Sequence, residues 1–111
     1  MRKAILWVTD ERGLKLAEHS VAAALLTQSV SPCLIFCVGF EPPANTNLNL
    51  AAKRFGRAVE YRPLKKREVT EKLHRGKGAH KHVSSAAMLK MDALWSLKGE
   101  FDRALYVDTD V

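Results

Sequence analysis

The sequence has few of the residues and segments that mark specialised protein classes. Its 111 residues include only six glycines and four prolines, and no heptad repeat persists, which excludes collagen-like and coiled-coil structures. No apolar run approaches the roughly 20 residues that a membrane-spanning helix needs. The run Ala4 to Val8 follows two basic residues, but it is shorter than the roughly 7–15-residue core of a secretion signal. We therefore expect one small domain that belongs either to a cytoplasmic protein or to one whose targeting signal lies outside this chain.

The chain has only two cysteines, Cys33 and Cys37, and they match no disulfide or zinc motif. Their C-x3-C spacing is not that of a zinc site, and no second pair exists. They lie in the apolar run Pro32 to Val38, which resembles a strand. On a strand, residues four apart share a face but lie about 13 Å apart, too far for a disulfide. We predict two buried free thiols in a reducing compartment.

The positive charge of the chain is concentrated in one segment. The net charge is +6, and residues Arg62 to His82 carry this whole excess with eight basic and two acidic side chains. Such a segment attracts anions, whether nucleic acid, phosphorylated ligands or acidic membrane surfaces. A solvated loop and helix face is the simpler interpretation of the charge alone. A basic module that binds RNA or another polyanion is the alternative function, although Tyr61 is the only ring near the segment.

Short apolar runs alternate with helical patterns along the chain. Four runs are predicted to be strands: Ala4 to Val8, Leu34 to Val38, Ala58 to Tyr61 and Ala104 to Val107. Four segments are predicted to be helices: a first that begins at Leu14 and ends before Ser29, then Leu48 to Phe55, Pro63 to Leu73 and Ser84 to Leu97. This alternation predicts an α/β domain with a mostly parallel sheet and helices on its faces.

The last predicted helix has an evident apolar side. Five residues form that side: Ala87, Met88, Met91, Leu94 and Trp95. Trp95 is accordingly predicted to be a packing residue, as is Trp7 in the first strand. The only acid in the helix, Asp92, is predicted to be exposed.

The segment Asp108-Thr109-Asp110 follows the last predicted strand. Ligands bind outside the carboxyl ends of strands in open α/β sheets, and residues two apart on an extended chain point to the same side. Two carboxylates can therefore converge on Mg²⁺ or Mn²⁺, whose coordination shell phosphate oxygens and water complete. The ion would neutralise charge on a departing diphosphate. The competing interpretation is a D-x-D sequence that arose by chance in a turn.

Two segments of the chain resemble family 8 glycosyltransferases, the group that contains glycogenin, galactinol synthase and bacterial lipopolysaccharide galactosyl- and glucosyltransferases. The first is His82 to Lys90, and the second is Phe101 to Val111, which ends in Tyr-Val-Asp-Thr-Asp-Val. That ending is similar to the Tyr-Leu-Asp-Ala-Asp-Val-like strand end of the family. The opening strand followed by Thr9-Asp10 and a helix is also similar. The resemblance spans most of the chain, and its specific part is Asp108 to Asp110.

The resemblance implies a GT-A (Rossmann-like) fold and a retaining hexosyltransferase that uses a nucleotide-diphosphate sugar, typically UDP-linked, and Mn²⁺ or Mg²⁺. By position, Asp108 and Asp110 match the metal-binding pair of the family, and Asp108 also belongs to the donor site. Thr9 and Asp10 match the segment that contacts the nucleoside. Lys90 stands where the family usually has an arginine near the donor sugar and phosphates, and lysine lacks the planar fork of arginine.

The resemblance also sets the expected organisation. Residues 1–111 are expected to be the N-terminal, nucleotide-sugar-binding portion of a longer GT-A domain. In the family, the acceptor-binding half and the residue that is the third metal ligand lie further downstream. The acceptor would be a saccharide, a lipid-linked saccharide or a protein. An inactive truncated remnant is a further alternative, since a strand at the terminus would leave an exposed sheet edge. Exposed apolar surface there would favour self-association.

Overall fold

A computed structural model of the chain describes residues 2–27, 30–64 and 85–108. Strands and helices alternate in these ranges: β1 (Lys3–Thr9), α1 (Leu14–Leu25), β2 (Cys33–Val38), α2 (Asn47–Arg54), β3 (Val59–Leu64), α3 (Ser85–Ser96) and β4 (Arg103–Tyr106). The strands form one sheet in the order β3-β2-β1-β4, and every neighbouring pair is parallel. The predicted α/β class with a parallel sheet is confirmed. Within the described residues, no helix is long and apolar enough to cross a membrane.

Helices cover both faces of the sheet. On one face, α1 and α2 pack against a cluster that includes Trp7 and Ile35. On the other face, α3 packs against a cluster that includes Leu6 and Phe36. The central strands β1 and β2 are apolar at almost every position because both of their faces are buried. The result is a three-layer α/β/α arrangement that is compatible with a Rossmann-like fold.

Strand β3 extends further than its sequence pattern indicates. The prediction of a helix that begins at Pro63 is wrong, because Pro63 and Leu64 are the last two residues of β3. Pro63 pairs with Cys37 of β2, and β3 lies at the edge of the described sheet. An edge strand tolerates proline because it needs ladder hydrogen bonds on one side only. Residues 65–73, the remainder of the predicted helix, lie outside the described residues.

Helix α3 presents its predicted apolar side to solvent. Met91 is 56% exposed, Leu94 38% and Trp95 57%, so this side faces solvent and the prediction of Trp95 as a packing residue is wrong. Three residues at spacings of four pack against the sheet instead: Leu89, Ala93 and Leu97. The helix is apolar on two sides, and its periodicity therefore could not decide which side is buried. The side chains of Ala87 and Met88 lie outside the described residues.

The prediction for Asp92 is also wrong, since this side chain is only 2% exposed. Asp92 directly precedes Ala93, one of the residues that anchor α3 on the sheet. Because Leu89, Ala93 and Leu97 face the sheet, the neighbouring side chain of Asp92 is also buried. The acid of α3 is therefore not part of a solvated face.

The prediction of two buried free thiols is confirmed. Cys33 and Cys37 are free and buried, and both belong to the cluster beneath α1 and α2. Burial raises the pKa of Cys37 to about 11, with a smaller contribution from the nearby carboxylate of Glu18. Burial also raises the pKa of Cys33, against the opposing effect of the Arg57 cation. Neither thiol has the lowered pKa of a reactive cysteine.

The buried side chain of Arg57 connects three elements on the α1 face. Its Nη1 donates to the carbonyl oxygen of Ala24 in α1 at 2.9 Å, and its Nη2 donates to the carbonyl oxygen of Ser31 at 3.0 Å. Arg57 precedes β3, and Ser31 precedes β2. A cation at the last turn of a helix also interacts favourably with the helix dipole. Arg57 thus fixes the C-terminal end of α1 against the starts of two strands.

Replacement of this arginine tests its contribution to stability. We expect Arg57→Met to lower the free energy of unfolding by about 2–3 kcal/mol, because it removes charge-assisted hydrogen bonds to two carbonyl groups. Urea unfolding followed by circular dichroism measures the change. Arg54→Met is the matched control, since Arg54 is exposed at the end of α2 and its loss should change stability by less than about 0.5 kcal/mol. Equal effects of the two substitutions would contradict this role of Arg57.

An ion pair anchors the C-terminal side of α3 to β3. Nη1 and Nη2 of Arg62 donate to the two carboxylate oxygens of Glu100 at 2.8 and 2.5 Å, and Nη2 also contacts Glu60 at 3.0 Å. The hydrogen bonds from Arg62 lower the pKa of Glu100, and those to Glu100 raise the pKa of Arg62. The pair holds the chain that leaves α3 against the sheet before it enters β4.

The lowered pKa of Glu100 predicts a pH-dependent contribution to stability. A carboxyl group with a lower pKa in the folded state stabilises the fold above its ordinary pKa of 4.5, and this contribution disappears as the pH falls through the lower folded pKa. Glu100→Gln should therefore destabilise the protein at pH 7 by less than about 1 kcal/mol, because the pair is partly exposed. Unfolding measured from pH 7 to pH 3 should show the two proteins converging on the acidic side. A difference that does not shrink as the pH falls below 4.5 would rule out the ion pair as its cause.

Candidate functional site

The chain changes its direction of travel across the sheet between β3 and β4. It moves from β1 to β2 and β3 on one side, and β4 then pairs with the opposite side of β1. In open α/β sheets, such a switch leaves a crevice at the carboxyl ends of the two strands between which the order reverses. Here these strands are β1 and β4. We call the region formed by Thr9, Asp10, Val107 and Asp108 the β1–β4 crevice.

The pairing of β1 with β4 brings two sequence-predicted segments together. Leu6 pairs with Tyr106, and the amide of Val107 donates to the carbonyl oxygen of Leu6 at 2.9 Å. Asp108 is the next residue, so it lies near the carboxyl end of β1, which Thr9 completes and Asp10 follows. Asp108 is exposed, whereas Thr9 is buried. Residues 99 positions apart in the chain therefore contribute to one crevice.

Lys90 of α3 lies against β4, next to the crevice. Its Nζ atom is 4.5 Å from the centre of the Tyr106 ring, a distance typical of a cation–π interaction. Tyr106 precedes Asp108 by two residues and packs in the cluster beneath α3. Lys90 is half-buried, and its ammonium group is held near the strand that leads to Asp108. The crevice thus has a cation on its α3 side.

A compact turn connects β1 to α1 at the crevice. Thr9 Oγ1 donates to the carbonyl oxygen of Asp10 at 2.9 Å, and Asp10 Oδ1 accepts from the amide of Gly13 at 2.9 Å. Asp10 was predicted to bind a donor nucleoside, and the structure assigns one of its carboxylate oxygens to this turn. The Asp10 side chain as a whole is exposed to solvent. Asp10 therefore has a structural role that the sequence pattern did not reveal.

The close approach of Gly13 to Thr9 in this turn was not predicted from the sequence. A Cβ atom at position 13 would lie 2.7 Å from Thr9 Oγ1, closer than side-chain packing allows. Glycine is thus required by the close approach of the chain to Thr9 rather than by backbone angles, since its φ is −87°. The available signal was a glycine placed directly between a polar turn and the first helical residue, Leu14.

The described part of the predicted metal site consists of Asp108 alone. Asp110, its predicted partner, lies outside the described residues. Across residues 2–27, 30–64 and 85–108, no group of three or more histidine, cysteine, aspartate and glutamate side chains could hold a metal ion. The donor chemistry of Asp108, a carboxylate at the carboxyl end of a sheet, suits Mg²⁺ or Mn²⁺ that takes its other ligands from phosphate and water.

A groove among the described residues shares Val107 with the β1–β4 crevice but otherwise lies apart from it. It has a volume of about 490 Å³ and lies on the α1 side of β1 and β4, where Ile5, Leu105 and Val107 contribute apolar surface. Lys3 and Arg103 line its end near the starts of these strands. None of Thr9, Asp10, Lys90 and Asp108 lines this groove. We therefore base the candidate site on strand topology and not on cavity volume.

A polar cluster that the sequence did not indicate joins α1, α2 and β3. The hydroxyl of Tyr61 donates to the carboxylate of Glu18, and Thr46 Oγ1 lies 3.2 Å from the same hydroxyl. Thr46 also caps α2 through a reciprocal arrangement with Asn49. Burial and the hydrogen bond to Glu18 raise the pKa of Tyr61. The cluster therefore has a structural role: the Tyr61 hydroxyl connects β3 to Glu18 of α1 and to Thr46 at the start of α2.

Comparison of the sequence with protein-family models, and of the chain with curated proteins and solved structures, finds no match. The inference about function therefore depends on the residues of the crevice and on the resemblance of its motif.

The turn at Asp10 can be tested apart from any ligand. We expect Asp10→Ala to lower the free energy of unfolding by about 1 kcal/mol, because the Gly13 amide loses its acceptor. Asp10→Asn keeps an oxygen at the acceptor position and should retain most of the stability. Thermal unfolding of the three proteins at pH 7 measures the difference. An equal loss in both variants would show that charge, and not the hydrogen bond, is responsible.

Proposed function

We propose that this chain forms the nucleotide-sugar-binding part of a retaining hexosyltransferase that resembles glycosyltransferase family 8. The donor would be a nucleotide-diphosphate sugar, UDP-linked by resemblance. The observation that carries this proposal is the β1–β4 crevice, where the topological switch of a parallel sheet places the end of β1, which leads to Thr9 and Asp10, beside the end of β4, which leads to Asp108. Crevices of this kind are where α/β sheets bind nucleotides.

Asp108 and Asp110 would hold a Mn²⁺ or Mg²⁺ ion in this function. Their carboxylates are hard oxygen ligands, and the exposure of Asp108 leaves room for phosphate oxygens beside it. When bound, the ion supplies positive charge that stabilises the departing diphosphate. The same proposal includes the GT-A fold, which is one particular kind of Rossmann-like arrangement.

Lys90 would bind the diphosphate from the α3 side of the crevice. Its ammonium group is close to Tyr106, and the ring limits the positions that the flexible side chain adopts. A lysine provides a point charge for phosphate, without the two-pronged hydrogen bonding of the arginine that the family usually has. We therefore expect Lys90 to contribute mainly electrostatic attraction, which weakens as salt concentration rises.

The turn between β1 and α1 would accommodate the nucleoside. The absence of a side chain at Gly13 lets the backbone approach Thr9 closely, and the exposed carboxylate of Asp10 provides an acceptor for hydroxyl or imide groups. Helix α1 begins at this turn, and the partial positive charge of a helix N-terminus favours a nearby phosphate. These features supply complementary contacts to a nucleotide at one edge of the sheet.

Calorimetric titration with UDP, with and without Mn²⁺, tests the proposal directly. We expect metal-dependent binding by the wild-type chain and at least a tenfold loss of affinity in Asp108→Asn and in Asp110→Asn, because each removes a charged metal ligand. Asp102→Asn is the matched control. Asp102 flanks the opposite end of β4, where its Oδ2 accepts from the Arg2 amide at 2.7 Å, and asparagine keeps an acceptor oxygen there. This control should bind UDP as the wild type does.

Titrations at two salt concentrations separate this function from the alternatives. Binding that needs no metal and falls steeply with salt would favour the polyanion-binding module, because counterion release dominates such binding. Unchanged UDP affinity in both aspartate variants would reject the proposed metal site. A wild-type chain that binds no UDP with or without Mn²⁺ would reject the proposed function itself.

A further inference from the structure

The outward face of α3 carries an apolar stripe that no described element covers. The stripe consists of Met91, Leu94 and Trp95, which follow the i, i+3, i+4 spacing of one helix face. Their exposed fractions are 56%, 38% and 57%. We call these three residues the α3 stripe. Three large apolar side chains that are neighbours on one helix form a contiguous surface, unlike the single exposed apolar residues that are ordinary on proteins.

The opposite face of α3 is already buried. Leu89, Ala93 and Leu97 pack against the sheet, so the helix has its own anchor and does not need the α3 stripe for folding. A surface helix normally has one apolar face and one polar face, whereas a helix that is apolar all round is covered on both sides. The second apolar face of α3 therefore indicates a surface that is buried against something other than this sheet.

The charges near the stripe favour an anionic surface. Lys98 lies on the same outward side, with its Nζ 4.7 Å from the centre of the Trp95 ring. The two nearby acids are engaged elsewhere in the described structure: Asp92 is buried, and Glu100 pairs with Arg62. A second copy would bring another Lys98 to the same surface, and so it would add like charge there. An apolar stripe beside the ammonium group of Lys98 is complementary to negatively charged lipid instead.

We propose that the α3 stripe is a docking surface for an anionic membrane. Trp95 would lie at the boundary between headgroups and acyl chains, where tryptophan is favoured. Met91 and Leu94 would enter the same boundary, and the stem of Lys98 would extend to the headgroups while its ammonium group stays with phosphate. This inference is independent of the proposed nucleotide site, because it uses the opposite side of α3 from the sheet.

Cosedimentation of the full chain with lipid vesicles tests the proposal. The probes are vesicles of phosphatidylcholine alone and vesicles that also contain phosphatidylglycerol. We expect binding to the anionic vesicles, and Trp95→Ala should lower the partition coefficient about tenfold because it removes the largest apolar group of the stripe. Phe55→Ala is the matched control, since Phe55 is an aromatic residue of equal exposure, 56%, at the end of α2 on the other side of the sheet.

The other outcomes would overturn the proposal. Equal losses in Trp95→Ala and Phe55→Ala would show that general apolar exposure drives the binding. Equal binding to both kinds of vesicle would exclude the anionic surface, and so would the absence of binding by the wild-type chain. Sedimentation velocity of the two variants without lipid tests a second copy as the occupant: loss of self-association in Trp95→Ala alone would assign the stripe to a protein interface. Far-UV circular dichroism checks that both variants keep the fold.

Discussion

The parallel pairing of β1 with a neighbour on each side is the constraint on which the rest of the structure depends. Parallel strands cannot be joined by tight turns, so each pair needs a crossover that returns the chain to the starting edge. Crossovers of one hand place α1 and α2 on one face while the chain moves outwards from β1. When the chain passes back over the sheet to β4, the same hand places α3 on the other face. Burial of Trp7 on one side and Leu6 on the other follows from this path.

The same path concentrates chemistry at one edge. Parallel strands all end on the same side, so Asp10, which follows β1, and Asp108, two residues after the end of β4, lie at one edge of the sheet. Thr9 marks the transition, since it is still buried but already hydrogen-bonds within the turn. Gly13 then allows the chain to enter α1 without displacing Thr9. The crevice is therefore a consequence of packing, and only the identities of Asp10, Lys90 and Asp108 give it a chemical character.

Much of this fold could be predicted from the sequence, and the exceptions have physical causes. Strands β1 and β2 are continuous apolar runs because both faces are buried, so their prediction was straightforward. Strand β3 was predicted too short because its polar residues face neighbours: Arg62 is satisfied by Glu100 across space, a contact that no local pattern shows. The structural role of Asp10 was likewise hidden, because its partner is a backbone amide. The metal-binding role of Asp108 and Asp110 stays a prediction, and Asp110 lies outside the described residues.

Helix α3 shows why periodicity alone could not place the surfaces of this protein, and it also connects the two inferences. Neighbouring residues on a helix differ by about 100° in direction, so Lys90 lies against β4 while Met91 faces outwards. A membrane against the α3 stripe would therefore lie about one helix diameter, roughly 10 Å, from the side of the crevice that Lys90 occupies. If both proposals hold, a donor sugar would be held close to the lipid surface.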